Sequence, residues 1–350
     1  MLPLWLLLSS CNVHEWVEPE PTVPYLVHLQ FNTDFPILEH NLNTRDPEGL
    51  DLITRHTVLE KGLMRYHFRA FPLENNDIQS SSFFSGYTEE WTVEGNYNRD
   101  IILNLSPGRY RLMVWADVRT SRDESNYYNM DDFTEIKLMR HEPNNDYRDC
   151  FRGSADITVT QSIELTEVES VTIEMERPVA KFEFLTNDLA EFINREIDTH
   201  TKARQDGDSS NDKDARSQSS LRDTESLPDI NDYKLNFNYV GFMPTAYSMF
   251  DDKPSDSEVN HSFQSKLTKL NDNEASLGFD YVFVNHNQTT VSLQVAIYDK
   301  ENNLISLSDA IDVPIKRSNH TVITGSFLTM DADGDVGIDP GYDGDFNVNL

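Results

Sequence analysis

Apolar residues recur at every second position along most of this chain. Tyr25, Val27, Leu29 and Phe31 alternate with Leu26, His28 and Gln30. Tyr66, Phe68 and Ala70 alternate with Arg65, His67 and Arg69, and Phe71 closes that run. Residues two apart share a face of a strand, so each run predicts a strand with one face buried. Ile101, Leu103 and Leu105 lead through the turn signal Ser106-Pro107-Gly108 to Tyr110, Leu112, Val114 and Ala116, a pattern that predicts a β-hairpin. Further strands are expected at 157–160, 171–175, 179–184, 235–240, 281–284, 291–298 and 321–328. Phe346, Val348 and Leu350 alternate with Asp345, Asn347 and Asn349, which predicts one more. Only Asp188 to Ile197 has helical spacing, through Leu189, Phe192, Ile193 and Glu196 after an Asn187/Asp188 cap.

Many short strands between Gly/Pro turns indicate an all-β protein built of sandwiches, and the length of 350 residues favours two of them. Proline in Glu176-Arg177-Pro178 interrupts two strand-like runs, which places an N-terminal β-sandwich at 23–176 and a C-terminal one at 177–350. Residues 199–230 are Asp, Ser, Arg, Lys and Gln with almost no apolar content. Such a segment cannot offset the entropy of ordering, so a disordered insertion is expected there.

The N-terminus adds a destination. Leu2 to Leu8 are almost wholly apolar and run into Leu8-Ser9-Ser10-Cys11, too short for a membrane span of about 20 residues but the shape of a secretory signal. The four positions resemble a lipobox, which implies cleavage before Cys11 and lipidation of its thiol. Residues 1–11 are then signal and lipobox. Residues 12–22, with Glu15, Glu18, Glu20, Pro19 and Pro21, are a tether. No Lys or Arg precedes the apolar run, so the start of translation is expected upstream. The expected product is an exported, lipid-anchored protein.

Charge narrows the partners. Sixty acids against 29 bases give a formal net charge of −31, which repels nucleic-acid phosphate and anionic lipid heads. Of two cysteines, Cys11 is assigned to lipid. Cys150 is then left without a partner, so disulfides do not hold the fold.

Candidate chemistry is sparse. The chain contains no Gly-x-Ser-x-Gly, His-Glu-x-x-His, phosphate-binding glycine loop or Cys-x-x-Cys, so no enzyme and no cofactor are expected. Cys150 has Arg148 and Arg152 beside it but also Asp149, and reads as a small packed thiol. Asp331, Asp333 and Asp335 alternate as oxygen ligands for Ca²⁺ would. An EF-hand needs Gly and Glu where Val336 and Tyr342 stand, so Asp-Gly turns explain the run more simply. Tyr127, Tyr128 and Phe133, in the loop 119–149, either contact a glycan or host ligand or pack the loop against the sandwich.

Several segments taken in order carry a resemblance. They are the lipobox with His14-Glu15-Trp16, Leu105-Ser106-Pro107-Gly108-Arg109-Tyr110 through Asp117, Phe151-Arg152-Gly153, Arg177-Pro178-Val179-Ala180-Lys181-Phe182-Glu183-Phe184, and the ending from Gly325-Ser326-Phe327 to Phe346. Together they resemble the fimbrillin-like lipoproteins of Gram-negative anaerobes. The resemblance implies two transthyretin-like β-sandwich domains, an outer-membrane lipoprotein, and a stalk, anchor or tip subunit partnered by other fimbrial subunits. It also implies strand exchange: a protease removes the first strand after an arginine, and a neighbour's strand fills the groove. Arg45, in Asn43-Thr44-Arg45-Asp46-Pro47, is the candidate cleavage point, although Pro47 hinders a protease and an ordinary loop arginine fits equally. The insertion 199–230 departs from the pattern. The rival expectation is a surface lipoprotein that binds glycans or host ligands through loop 119–149.

Overall fold

The computed structural model describes residues 21–32, 37–41, 63–75, 77–78, 88–92, 97–119, 126–161, 168–207 and 229–330. Cys11, Arg45, Asp331, Asp333, Asp335 and the alternation at 346–350 lie outside the described residues, as does 208–228 of the insertion.

The first half runs β1 (Val23–Phe31), β2 (Ile37–Asn41), β3 (Leu63–Glu74), β4 (Asp77–Ile78), β5 (Thr88–Thr92), β6 (Arg99–Leu105), β7 (Gly108–Arg119), β8 (Tyr128–Asn129), β9 (Ile136–Leu138), β10 (Cys150–Val159) and β11 (Ser170–Met175). The second runs β12 (Val179–Thr186), α1 (Leu189–Gly207), β13 (Lys234–Tyr239), β14 (Phe242–Ser248), β15 (Lys253–Val259), β16 (Ser262–Ser265), β17 (Thr268–Lys269), β18 (Ala275–Phe283), β19 (Thr289–Tyr298), β20 (Leu304–Leu307), β21 (Ile311–Ile315) and β22 (His320–Gly325). Among the described residues the chain is all-β with one α-helix, as its periodicity predicts. No helix among the described residues is long and apolar enough to cross a membrane.

Two sandwiches result. In the first, the sheet β11-β1-β6 lies against β10-β7-β3-β4, with β5 beside β3. Tyr25, Val27 and Leu29 of β1 meet Phe68, Leu112, Val114 and Phe151 in its core. In the second, β17-β18-β12-β22-β2 faces β16-β13-β19-β20, with β21 beside β19. Phe182, Phe184, Phe237, Leu293 and Val313 fill that core, and α1 closes it with Leu189 and Phe192.

The structure departs from the sequence reading in four places. Strands β6 and β7 are not a hairpin: β6 pairs with β1, whereas β7 pairs with β3 and β10. Ser106 and Pro107 therefore carry the chain from one layer to the other, and the Tyr110 hydroxyl donates to the Ser106 carbonyl at 2.9 Å to brace the corner. Alternation shows that both strands face a core, not that they face it from opposite sides.

Second, β2 leaves the first sandwich, although all of 23–176 was expected to stay there. It pairs in parallel with β22, from Ile37↔His320 to Asn41↔Thr324. Third, α1 runs on to Gly207, so 199–207 is helix where a disordered loop is expected. Once Leu189 and Phe192 have packed and nucleated the helix, the good formers Lys202, Ala203, Arg204 and Gln205 propagate it. Fourth, the Asp188 carboxylate does not cap this helix; it accepts from the amides of Leu328 at 3.1 Å and Thr329 at 2.8 Å. The strand expected at 321–328 accordingly ends at Gly325, and Phe327 and Leu328 are buried beyond it.

Gly153 shows how tightly the first core closes. A Cβ there would stand 2.5 Å from Ile173 Cγ2, 2.7 Å from Met175 Sδ and 2.9 Å from the Glu174 carbonyl oxygen. The carbonyl belongs to β11 and cannot swing aside. Gly153→Ala is expected to lower unfolding free energy by about 1–3 kcal/mol, read as a fall in the urea midpoint at unchanged slope.

Candidate functional site

Strand β7 is buried on both faces. Leu112, Val114, Ala116 and Val118 point into the first core, while Met113, Trp115 and Asp117 point the other way and are equally covered. The cover is a third apolar cluster, made from both halves of the chain. Trp115, Tyr128, Phe133 and Cys150 of the first half meet Val179, Tyr247, Tyr281 and Phe283 of the second. Trp115 and Tyr128 meet edge to face at 5.5 Å, and Phe283 lies 5.7 Å from Tyr128 and 5.6 Å from Tyr247. An antiparallel sheet drawn from both halves, β15-β14-β9-β8, continues this seam, with Ala246↔Lys137 and Tyr247↔Ile136 joining the halves.

Tyr127, Tyr128 and Phe133 are thereby placed, and the ligand-contact reading is corrected. All three are buried, at 3%, 1% and 1% exposure, and their polar atoms are occupied. The Tyr127 hydroxyl accepts from Arg140 and Asn145, both at 2.8 Å. The Tyr128 hydroxyl donates to the Arg148 carbonyl at 2.6 Å. Phe133 lies under the Arg69 guanidinium, 4.8 Å from its carbon. Loop aromatics that fill a seam between two sandwiches offer no face to a ligand. Cys150 is also buried and a free thiol, and burial pushes it well above the usual range, as does neighbouring Asp149.

Charges stitch the edges of the seam. Arg177 holds Asp149 at 2.9 and 3.0 Å, Lys181 reaches Asp146 at 2.8 Å, and Arg148 pairs with Asp280 while donating to the Tyr281 carbonyl at 2.8 Å. Arg65 grips Asp117 through two bonds, at 2.8 and 2.5 Å. Glu176, Asp252 and His286 bring three ligand atoms within 4.8 Å of one another, the spacing of a metal site. Arg317 lies among them at 3.1 Å from each carboxylate, and Arg152 contacts both acids as well. Two fixed guanidinium cations already balance the cluster, which removes the attraction for a metal ion.

A second feature crosses the same boundary. Strand β1 lies between β11, parallel to it, and β6, antiparallel to it, and so has no free edge. Only 33–36 separate it from β2, which borders β22 in the other sandwich. Residues 23–41 thus complete a sheet in each half. A family model described as a family of unknown function, DUF6562, matches residues 22–350. The chain belongs to DUF6562.

No curated protein matches this DUF6562 chain. Among solved structures, a candidate adhesin from Bacteroides ovatus is similar at 12% identity and a TM-score of 0.41, with 87% of this chain and 88% of that chain covered. A candidate polysaccharide-binding protein from Bacteroides thetaiotaomicron is similar at 12% identity and a TM-score of 0.42, covering 81% and 79%. The fimbrial anchor protein Mfa2 from Porphyromonas gingivalis is similar at 10% identity and a TM-score of 0.35, covering 82% of each chain.

One member of the seam is poised to respond to acid. His67 of β3 faces the loop, edge-on to Phe133 at 5.9 Å, and its Nδ1 is buried without a hydrogen-bond partner. Burial, then Arg69 and Arg65, lower its pKa from 6.5 to about 4. The folded protein keeps this ring neutral, while the unfolded chain takes up a proton below 6.5. The stability it contributes is complete above pH 6.5 and is lost as pH falls towards 4. His67→Phe should therefore flatten the fall in unfolding free energy across that window, measured by urea melts at successive pH values.

Proposed function

We propose that this DUF6562 protein is a structural cell-surface subunit of fimbrial or adhesion type, exported and anchored through a lipid on Cys11, with two domains that meet near Glu176–Pro178. The observation that carries the reading is the placement of segment 23–41. Removing it would leave β11 and β6 facing each other across about two strand spacings, roughly 10 Å, and would bare the edge of β22. The first core would lose Tyr25, Val27 and Leu29, each worth roughly 1.5–3 kcal/mol when fully buried. That sum is a large share of a domain's net stability, so the gap would be filled by another strand or the sandwich would weaken. A strand from a second subunit, antiparallel to β6 and parallel to β11, satisfies both the backbone groups and the core. Arg45 lies just past this segment, where a cut would free it. A stalk subunit gives the segment up, whereas an anchor keeps it together with its lipid.

The test uses cells making the wild type, Cys11→Ala and Arg45→Ala. Cys11→Ala should release the protein from membranes. Treatment with an arginine-specific protease should convert the wild type, but not Arg45→Ala, into high-mass ladders. Cut protein that loses 23–41, stays monomeric and melts as before would contradict the reading.

A further inference from the structure

The loop between β9 and β10 reaches from the first half of the chain to the second sandwich, and His141 is one of its fastenings, beside Asn144, which bonds Ser265 and Phe279. His141 Nε2 lies 2.7 Å from Asp280 Oδ2, and His141 Nδ1 lies 2.8 Å from His261 Nε2, in the turn between β15 and β16. The rings stand edge to face with centroids 4.4 Å apart. Asp280 is fully buried and accepts besides from the Tyr239 hydroxyl at 2.7 Å, the Tyr281 amide at 2.8 Å and Arg148. Burial alone would raise its pKa, but Arg148, His141 and Tyr239 hold it below the usual carboxylate value.

These contacts fix where every proton sits. An ionised carboxylate only accepts, so His141 must carry its hydrogen on Nε2. A neutral His141 then has a bare Nδ1, which must accept, so His261 carries its hydrogen on Nε2. That leaves His261 Nδ1 as the one open ring nitrogen, 3.7 Å from Glu258 Oε2. We propose that Asp280, His141 and His261 form a proton-ordered relay that fastens segment 139–149 of the first half to the second sandwich and releases it in acid.

The relay has room for one more proton. It enters at His261 Nδ1, beside Glu258, and leaves the bond between the rings intact. A further proton has only His141 Nδ1 to occupy, and placing it there breaks that bond and sets two cationic rings against each other beside Arg148. The groups facing the pair are Asp280 on β18, Arg148 before β10, Tyr239 on β13 and Glu258 on β15, with the Phe263 ring on β16. Burial, His141 and Arg148 disfavour the charged His261, against Asp280 and Glu258, and its pKa is lowered.

Long-range ¹H–¹⁵N correlation on the full-length wild-type protein reads the tautomers directly. At neutral pH both His141 and His261 should be protonated at Nε2 alone. Amide exchange, expressed as protection relative to intrinsic rates at each pH, should fall at least tenfold over 139–149 between pH 7 and pH 5. His261→Gln supplies an N–H donor that does not titrate, so the same segment should keep its protection to lower pH. A neutral His261 protonated at Nδ1 would overturn the relay. So would loss of protection at the same pH in the wild type and the His261→Gln variant. The tautomer is read on the wild type, so the inference stays testable even if the substituted side chain seats poorly.

Discussion

Trp115 packs outward from its own sandwich, against Phe283 and Tyr247 of the other, and much of the molecule is arranged to permit that contact. A single sandwich exposes the outer face of each sheet to water and alternates polar residues there. Here the outer faces of β7 and β12 are turned towards each other and filled. Ring pairs of this geometry add about 0.5–1.5 kcal/mol each beyond the area they bury. Burying that face commits its polar neighbours too: Asp117, Asp149 and Asp280 lie out of water and each has an arginine. A buried pair adds little to stability, but losing one partner leaves an uncompensated charge, which is costly. The seam therefore tolerates full closure and penalises partial opening.

From this follows the way the chain is threaded. Closing the seam requires covering strands, and the loop 126–149 supplies β8 and β9 to a sheet completed by β14 and β15. The N-terminal segment makes a second crossing, with β1 in one sandwich and β2 in the other. The sandwiches are therefore tied at two places besides the chain link between β11 and β12.

Much of this was legible in the sequence. Alternation located β1, β3, β6, β7, β12, β13 and β19, because a face that meets a core must be apolar at period two whatever its partner. Pairing was not legible: Leu105 and Tyr110 flank a turn signal whether the chain folds back within a sheet or crosses to the next layer. The seam left one trace, Trp115 at an outward position, which a solvent-facing strand has little use for. Its charges left none, since Arg148 and Asp280 are 132 residues apart. Arg65 and Arg69, polar on the face opposite the core, suggested solvent, yet they are buried at 5% and 8% exposure under the loop. The helix was underestimated for a related reason, because composition registers the lack of a packing face but not propagation from a packed first turn.

The central claim is that the seam makes the two sandwiches one cooperative unit. Calorimetry of the full chain tests it most directly. The account predicts a single transition whose calorimetric and van't Hoff enthalpies agree, and which Trp115→Ala shifts down as a whole. Two resolved transitions, with one left in place by Trp115→Ala, would contradict it.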